Sequence, residues 1–169
     1  MPFPADSALG ALMATLPRPG QVRWIGLRPA RDIPMQEVER VEVVAGKGLV
    51  GDRYKSGSGK RGITLIQAEH LPVVAALSGL AEVSPATLRR NVVVSGLPVI
   101  ALKGRRFRIG TAVFEGTGDC DPCSRMEAAL GPGGYNAMRQ HGGLCARVIV
   151  SGSFGLGDAV EPLAADDAA

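Results

Sequence analysis

The chain is poor in aromatic residues, at 4%, and in lysine, with 4 against 15 arginines. It has three cysteines, an odd number that argues against a secreted disulfide framework. No apolar run approaches the ~20 residues that a membrane-spanning helix requires. The apolar patch at 9–16 follows Asp6 and is preceded by no Lys or Arg, so it reads poorly as a secretory signal. A cytoplasmic protein with no membrane partner is the expectation. The basic residues lack interleaved aromatics, which speaks against a single-stranded nucleic-acid platform. No segment repeats at a fixed period.

What is present points to short strands and tight turns. Gly is high at 23 and Pro at 12, and 46% hydrophobic residues in a chain of 169 supply one domain with a proper core. Residues 22–27, 41–44, 63–67, 91–95, 106–115, 144–150 and 158–162 read as strands, the 106–115 stretch as two joined at Gly110. Short helices are expected at 8–16, 68–77, after Ser84-Pro85, after Pro122 and at 136–139. Strand and long helix do not alternate, which speaks against a doubly wound parallel sheet. The fold expected is mainly β, a closed or nearly closed β-barrel with a few short helices. It would occupy 21–163, behind an N-terminal extension (1–20) and ahead of a disordered tail (164–169). The polar segments 51–62, 88–91, 117–125 and 139–147 would converge at one end.

The most informative stretch is Gly118-Asp119-Cys120-Asp121-Pro122-Cys123-Ser124-Arg125-Met126. Pro122 suits a first helical position, and Asp121 just before it suits a cap. Cys123 would then sit in the first helical turn, with Arg125 two residues on; both favour thiolate over thiol. Asp119 and Asp121 push the other way. As a zinc motif, Cys120 and Cys123 are half a site, with only Cys145, His70 and His141 to complete it. As a redox dithiol they lack the βαβ context. Cys145, in the middle of an apolar strand, reads as core. Gly51-Asp52-Arg53 and the basic loop to Arg61 suit an anion, as does Arg89-Arg90-Asn91 at a helix–strand junction. Solvated surface arginines are the competing reading. Glu69-His70 reads as a helix-start feature.

Seven segments stand in order: Gly51-Asp52-Arg53-Tyr54, Arg61-Gly62-Ile63-Thr64-Leu65-Ile66, Arg89-Arg90-Asn91-Val92-Val93-Val94-Ser95-Gly96-Leu97 and Leu102-Lys103-Gly104-Arg105-Arg106-Phe107-Arg108-Ile109-Gly110, then Glu115-Gly116-Thr117-Gly118, Pro122-Cys123-Ser124-Arg125-Met126 and His141-Gly142-Gly143-Leu144-Cys145-Ala146-Arg147-Val148. Taken together, they resemble the MOSC family, named after the C-terminal domain of molybdenum cofactor sulfurases. The length looks most like the small stand-alone bacterial members. The resemblance implies a barrel similar to the pyruvate-kinase β-barrel domain and a role around the molybdenum cofactor (molybdopterin), an anionic phosphorylated pterin. The family's cysteine falls on Cys123, as a persulfide carrier or as a molybdenum ligand. Arg53, Arg89, Arg90, Asn91 and Arg125 would hold the cofactor. A cysteine desulfurase as sulfur donor and a molybdoenzyme as acceptor are the partners it implies. Pyridoxal phosphate, which belongs to the desulfurase domain of larger fused relatives, is not expected in this chain. Three readings follow: a sulfur-transfer domain, a cofactor-binding oxidoreductase with Cys123 on the metal, and a non-catalytic anion-binding module. Arg105, Arg106 and Arg108 are assigned to an outer surface.

Overall fold

β-Branched runs set the frame of the molecule. The computed structural model describes residues 4, 7–54 and 59–164. Its strands are β1 (Gly20–Leu27), β2 (Gln36–Glu37), β3 (Arg40–Val44), β4 (Gly48–Leu49), β5 (Ile63–Gln67), β6 (Val92–Ser95), β7 (Arg106–Ile109), β8 (Ala112–Asp119), β9 (Leu144–Val150), β10 (Gly152–Gly155) and β11 (Ala159–Pro162). Its α-helices are α1 (Ala8–Ala14), α2 (His70–Leu77), α3 (Pro85–Leu88), α4 (Ser124–Leu130) and α5 (Gly134–Met138), and Val99–Leu102 forms a 3-10 turn.

Seven strands close a barrel in the order β1-β11-β7-β8-β9-β5-β6, with β6 returning to β1. Closure removes the exposed sheet edges on which aggregation feeds. The pair β5–β6 is parallel, Leu65 facing Val92, and the other barrel pairs are antiparallel. Strands β10, β3 and β4 form a small sheet at the side. The mainly β, closed barrel expected from the sequence is the one found.

Alternation explains most strands. In β7, Phe107 and Ile109 are buried while Arg108 is exposed, as the pattern predicts. Phe107 stacks on Phe114 at 5.5 Å, and Phe114 meets Phe154 edge-on at 5.9 Å. Strands β5 and β6 do not alternate, because both of their faces are covered. Their inward side chains (Ile63, Leu65, Val92, Val94) join the barrel core. Their outward ones, Ile66 and Val93, pack against Val74 of α2, Leu88 of α3, Met126 and Leu130 of α4 and Met138 of α5. Helices α2 to α5 therefore gather on one outer flank, over the parallel pair.

Boundaries differ in a few places. The helix expected at 68–77 begins at His70, and the one expected at 8–16 ends at Ala14. The two-residue strands β2 and β4, the strand β10 and the 3-10 turn carry too few residues for a periodic signal and were not expected. Leu16, beyond α1, packs against the barrel core, and Arg105 Nη1 donates to the Ala14 carbonyl at 3.2 Å. Of the expected tail, residues 165–169 lie outside the described residues, as do 55–58 of the basic loop. No helix among the described residues is long and apolar enough to cross a membrane.

Candidate functional site

Four arginines from four separate segments meet beside α3 and α4. Arg89 is the C-cap of α3, in the left-handed region (φ 54°, ψ 34°), a backbone turn that swings its side chain away from the strand that follows. Its guanidinium donates to the carbonyls of Ile33 (2.9 Å) and Ala30 (3.4 Å). Arg125, in the first turn of α4, pairs with Asp32 of the same loop at 3.0 Å. Arg28 at the end of β1 and the exposed Arg53 complete the group; the Arg53 N–H donates to the Arg28 carbonyl at 2.8 Å. Burial pushes the Arg89 guanidinium down from its ordinary value, and the charges of Arg125, Arg28 and Arg53 push the same way, against Asp32. Among the described residues, the cluster thus carries more positive than negative charge.

Beneath it lies a layer of buried polar groups. Asp52 accepts from the Arg28 backbone N–H (2.7 Å), Nε (3.0 Å) and Nη2 (2.8 Å), and from the Tyr54 N–H (3.2 Å). Burial would raise the Asp52 carboxyl, but the hydrogen bonds and charge of Arg28 outweigh it and hold it below the usual carboxylate range. Asn91, 0% exposed, joins three strands. Its Oδ1 accepts from Arg28 Nη2 (3.0 Å), Thr64 N (3.1 Å) and Thr64 Oγ1 (2.9 Å), while its Nδ2 donates to the Gly26 carbonyl (3.0 Å) and to Asp52 Oδ1 (3.1 Å). Its polar atoms are spent on protein. Asn91 thereby holds Arg28 and Asp52 in place from below.

Arg90 is likewise engaged by the protein. It is 6% exposed, and it donates through Nε to the Gly142 carbonyl (2.7 Å), through Nη1 to Leu88 (2.9 Å) and through Nη2 to Cys120 (2.8 Å). It ties the α3–β6 junction to the strand end that carries the cysteines. Gly142 permits this contact, because a Cβ there would collide with the Cys120 carbonyl.

The cysteines divide. The helix expected to start at Pro122 starts at Ser124 instead, with Cys123 as its N-cap in extended conformation (φ −137°, ψ 179°). Pro122 is buried, Asp121 is exposed, and the Cys123 carbonyl accepts from Met126 N at 2.8 Å. The reason is that chain beyond β8 stays extended: Cys120 N–H still donates to the Gly143 carbonyl of the neighbouring segment at 2.9 Å. Cys123 is exposed, whereas Cys120 and Cys145 are buried at 1% and 4%. The expected core role of Cys145 is therefore only part of its environment. Arg61 Nη2 lies 3.9 Å from Cys120 Sγ, and Cys145 Sγ donates to the Asp119 carbonyl at 3.7 Å. The neighbouring Cys145 thiol lowers the Cys120 thiol from its ordinary value, against the effect of burial and with the charges of Arg90 and Arg61. The Cys120 thiol beside it and burial push Cys145 up. The two thiols of the Cys-x-x-Cys stretch thus face different surroundings. No group of three or more His, Cys, Asp or Glu side chains among the described residues is placed to hold a metal ion. His70 and His141 meet edge-on at 5.2 Å, on the helix flank.

The expected convergence of polar segments is present: Thr117 Oγ1 donates to the Lys60 carbonyl, Arg61 reaches Cys120, and Arg90 joins Cys120 to Gly142. Of the residues singled out in the sequence, Arg53, Arg89 and Arg125 come together, with Cys123 two residues before Arg125. Arg28 was missed. It carries no local motif, and its role appears only when Asp52, 24 residues on, folds against it.

No curated protein sequence matches the chain. Solved structures match its fold. The YuaD protein from Bacillus subtilis superimposes with a TM-score of 0.77 at 19% identity, covering 88% of this chain and 98% of that one. The YiiM proteins from Geobacillus stearothermophilus (TM-score 0.70, 21% identity, 86% of this chain and 76% of that one) and Escherichia coli (0.68, 20%, 88% and 71%) are also similar. The family model for the MOSC domain matches residues 52–161, a stretch that runs from the buried Asp52 through Arg89, Cys123 and Arg125 to the last barrel strand. The chain belongs to the MOSC domain family.

Proposed function

We propose that this chain handles sulfur for the molybdenum cofactor, with Cys123 as the thiol that carries it. The family is associated with that cofactor, and a general role around it is the reading common to all the observations. The observation that carries the finer reading is the exposed Cys123 thiol, set two residues before Arg125 at the edge of an arginine cluster that holds a surplus of positive charge among the described residues.

The residues fit such a group. A pterin phosphate is an anion, and guanidinium forks suit it, since charge-assisted hydrogen bonds are the strong ones. Arg53, Arg89 and Arg125 would hold the phosphate, and Arg28, fixed by Asp52 and Asn91, would add charge from behind. When bound, the cofactor supplies a metal that accepts soft sulfur ligands. The chain's own part is to fix the anion and to present the Cys123 thiol to solvent, where a partner protein reaches it.

The loading step balances without an oxidant. Cys123 Sγ, as thiolate, attacks the outer sulfur of a persulfide on the donor, a cysteine desulfurase. The donor's S–S bond breaks, its cysteine leaves as thiolate, and a new S–S bond holds the sulfane sulfur on Cys123. Mass spectrometry of the full chain after incubation with a cysteine desulfurase and free cysteine should find one extra sulfur atom on Cys123. Sulfur found only on Cys120 or Cys145 would overturn the assignment.

The oxidoreductase reading makes Cys123 a permanent metal ligand. Stoichiometric molybdenum in protein purified from a cofactor-competent host would favour it over transfer. The non-catalytic reading would be favoured by a Cys123→Ser protein that works unaltered in cells.

A further inference from the structure

Cys120 and Cys145 are not used by the proposed sulfur transfer, yet the fold sets them together with care. Strand β9 pairs Cys145 with Gly118 of β8, so Cys120, two residues on, projects on the same side of the sheet as Cys145, one diagonal step away. The backbone around them is held by Arg90, whose guanidinium binds the carbonyls of both Cys120 and Gly142. Arg61 Nη2 stands 3.9 Å from Cys120 Sγ. A cleft of 530 Å³ opens beside them, lined by Asp119, Cys120, Asp121, Arg139, Gln140 and Gly142 among others. Burial keeps bulky reagents away, while the cleft leaves a path for a small one.

We propose that Cys120 and Cys145 form a reversible dithiol site oxidised by peroxides, separate from Cys123. Cys120, as thiolate, attacks one oxygen of hydrogen peroxide; the O–O bond breaks, water leaves once the other oxygen is protonated, and Cys120 becomes a sulfenic acid. The Cys145 thiol then attacks the Cys120 sulfur. A second water leaves, and the disulfide is formed. In sum two thiols and one peroxide give one disulfide and two waters. The neighbouring guanidinium of Arg61 stabilises the attacking thiolate, and the buried Cys145 supplies the resolving thiol before a second peroxide arrives. Oxidation takes away the thiolate that faces Arg61. None of this requires that Cys123 carry sulfur.

The test uses the full chain with equimolar hydrogen peroxide, followed by alkylation in denaturant, trypsin digestion and tandem mass spectrometry. The expected product links peptide 109–125 to peptide 140–147 through Cys120 and Cys145, with Cys123 alkylated, and dithiothreitol reverses it. The Cys145→Ser protein should stop at a sulfenic acid on Cys120, captured by dimedone. The Arg61→Gln protein, which keeps both thiols, should form the link at least about tenfold more slowly. A Cys120–Cys123 link, oxidation confined to Cys123, or all three cysteines alkylated after peroxide treatment would each overturn the proposal. So would an Arg61→Gln protein that oxidises at the unaltered rate.

Discussion

Arg89 closes α3 with a left-handed turn and sends its guanidinium out to the 30–33 loop, whereas Arg90, next in the chain, runs inward to three backbone carbonyls. Cys123 and Cys120 show the same division three residues apart, one thiol in solvent and the other walled in beside Cys145. An outer layer (Cys123, Arg53, Arg89, Arg125) therefore rests on an inner one (Asp52, Asn91, Arg90, Cys120). Among the described residues, the outer layer has more positive charge than acidic partners. The inner one has its hydrogen bonds made within the protein. Uncompensated charge costs folding energy and is useful only toward a ligand, while satisfied buried groups hold geometry and offer a ligand little. Mutation should separate the two layers.

The largest effects are expected in the inner layer. Arg90→Ala leaves the Gly142, Cys120 and Leu88 carbonyls without their donor and should cost about 3–5 kcal/mol in urea denaturation, against less than about 1 kcal/mol for Arg89→Ala. Equal losses from the two would break the comparison. Asp52 adds a pH signature. Its folded carboxyl titrates below the ordinary value of 3.8, so its contribution is fully present above that value and is lost as pH falls through the lower folded one. Urea midpoints followed into acid should fall in the native protein, and Asp52→Asn, already less stable at neutral pH, should lack this part of the fall.

Next comes the outer layer, read through binding. Arg89→Ala or Arg125→Ala should each weaken a phosphorylated pterin by about 1.5–3 kcal/mol in calorimetry, while leaving unfolding midpoints close to the parent. A dephosphorylated pterin should show little of that difference. If Arg90→Ala variants that still fold lost no more affinity than their loss of structure explains, the division would be sharpened. If Arg89 and Arg125 proved indifferent to the phosphate, the cluster would have another purpose.

The sequence foretold the barrel because its evidence is local. The runs Ile63-Thr64-Leu65-Ile66 and Val92-Val93-Val94 are short, β-branched and continuous, and strands buried on both faces read that way. The site was legible in outline for a different reason: the arginines sit beside turns, where side chains project from the barrel. What sequence could not separate was Arg89 from Arg90. That choice is made by one left-handed residue and by carbonyls 30 and 52 residues away from Arg90. Arg28 stayed hidden because its partners, Asp52 and Asn91, come from distant segments. The start of α4 was misplaced because Pro122 and Asp121 carry good start signals, yet the pairing of Cys120 with Gly143 keeps the chain extended past them. Long-range pairing overrode local propensity.

The smallest expected effect tests whether the outer layer depends on its own helix. α3 is a single turn, too short to persist without a cap and tertiary packing. Ser84 caps it, Oγ accepting from Thr87 N at 3.3 Å, with Pro85 at the first helical position. Leu88, fully buried, pins its far end, and Arg89 follows as the C-cap. Ser84→Ala should cost about 1 kcal/mol or less of stability, the usual worth of such a cap. It touches no arginine, so any effect on phosphate must travel through the placement of Arg89. A pterin-phosphate affinity lowered by about twofold to fivefold, within the same ~1 kcal/mol, is expected if the turn positions Arg89. An unaltered affinity with the stability loss intact would show that the carbonyls of Ala30 and Ile33, rather than α3, hold the guanidinium in place.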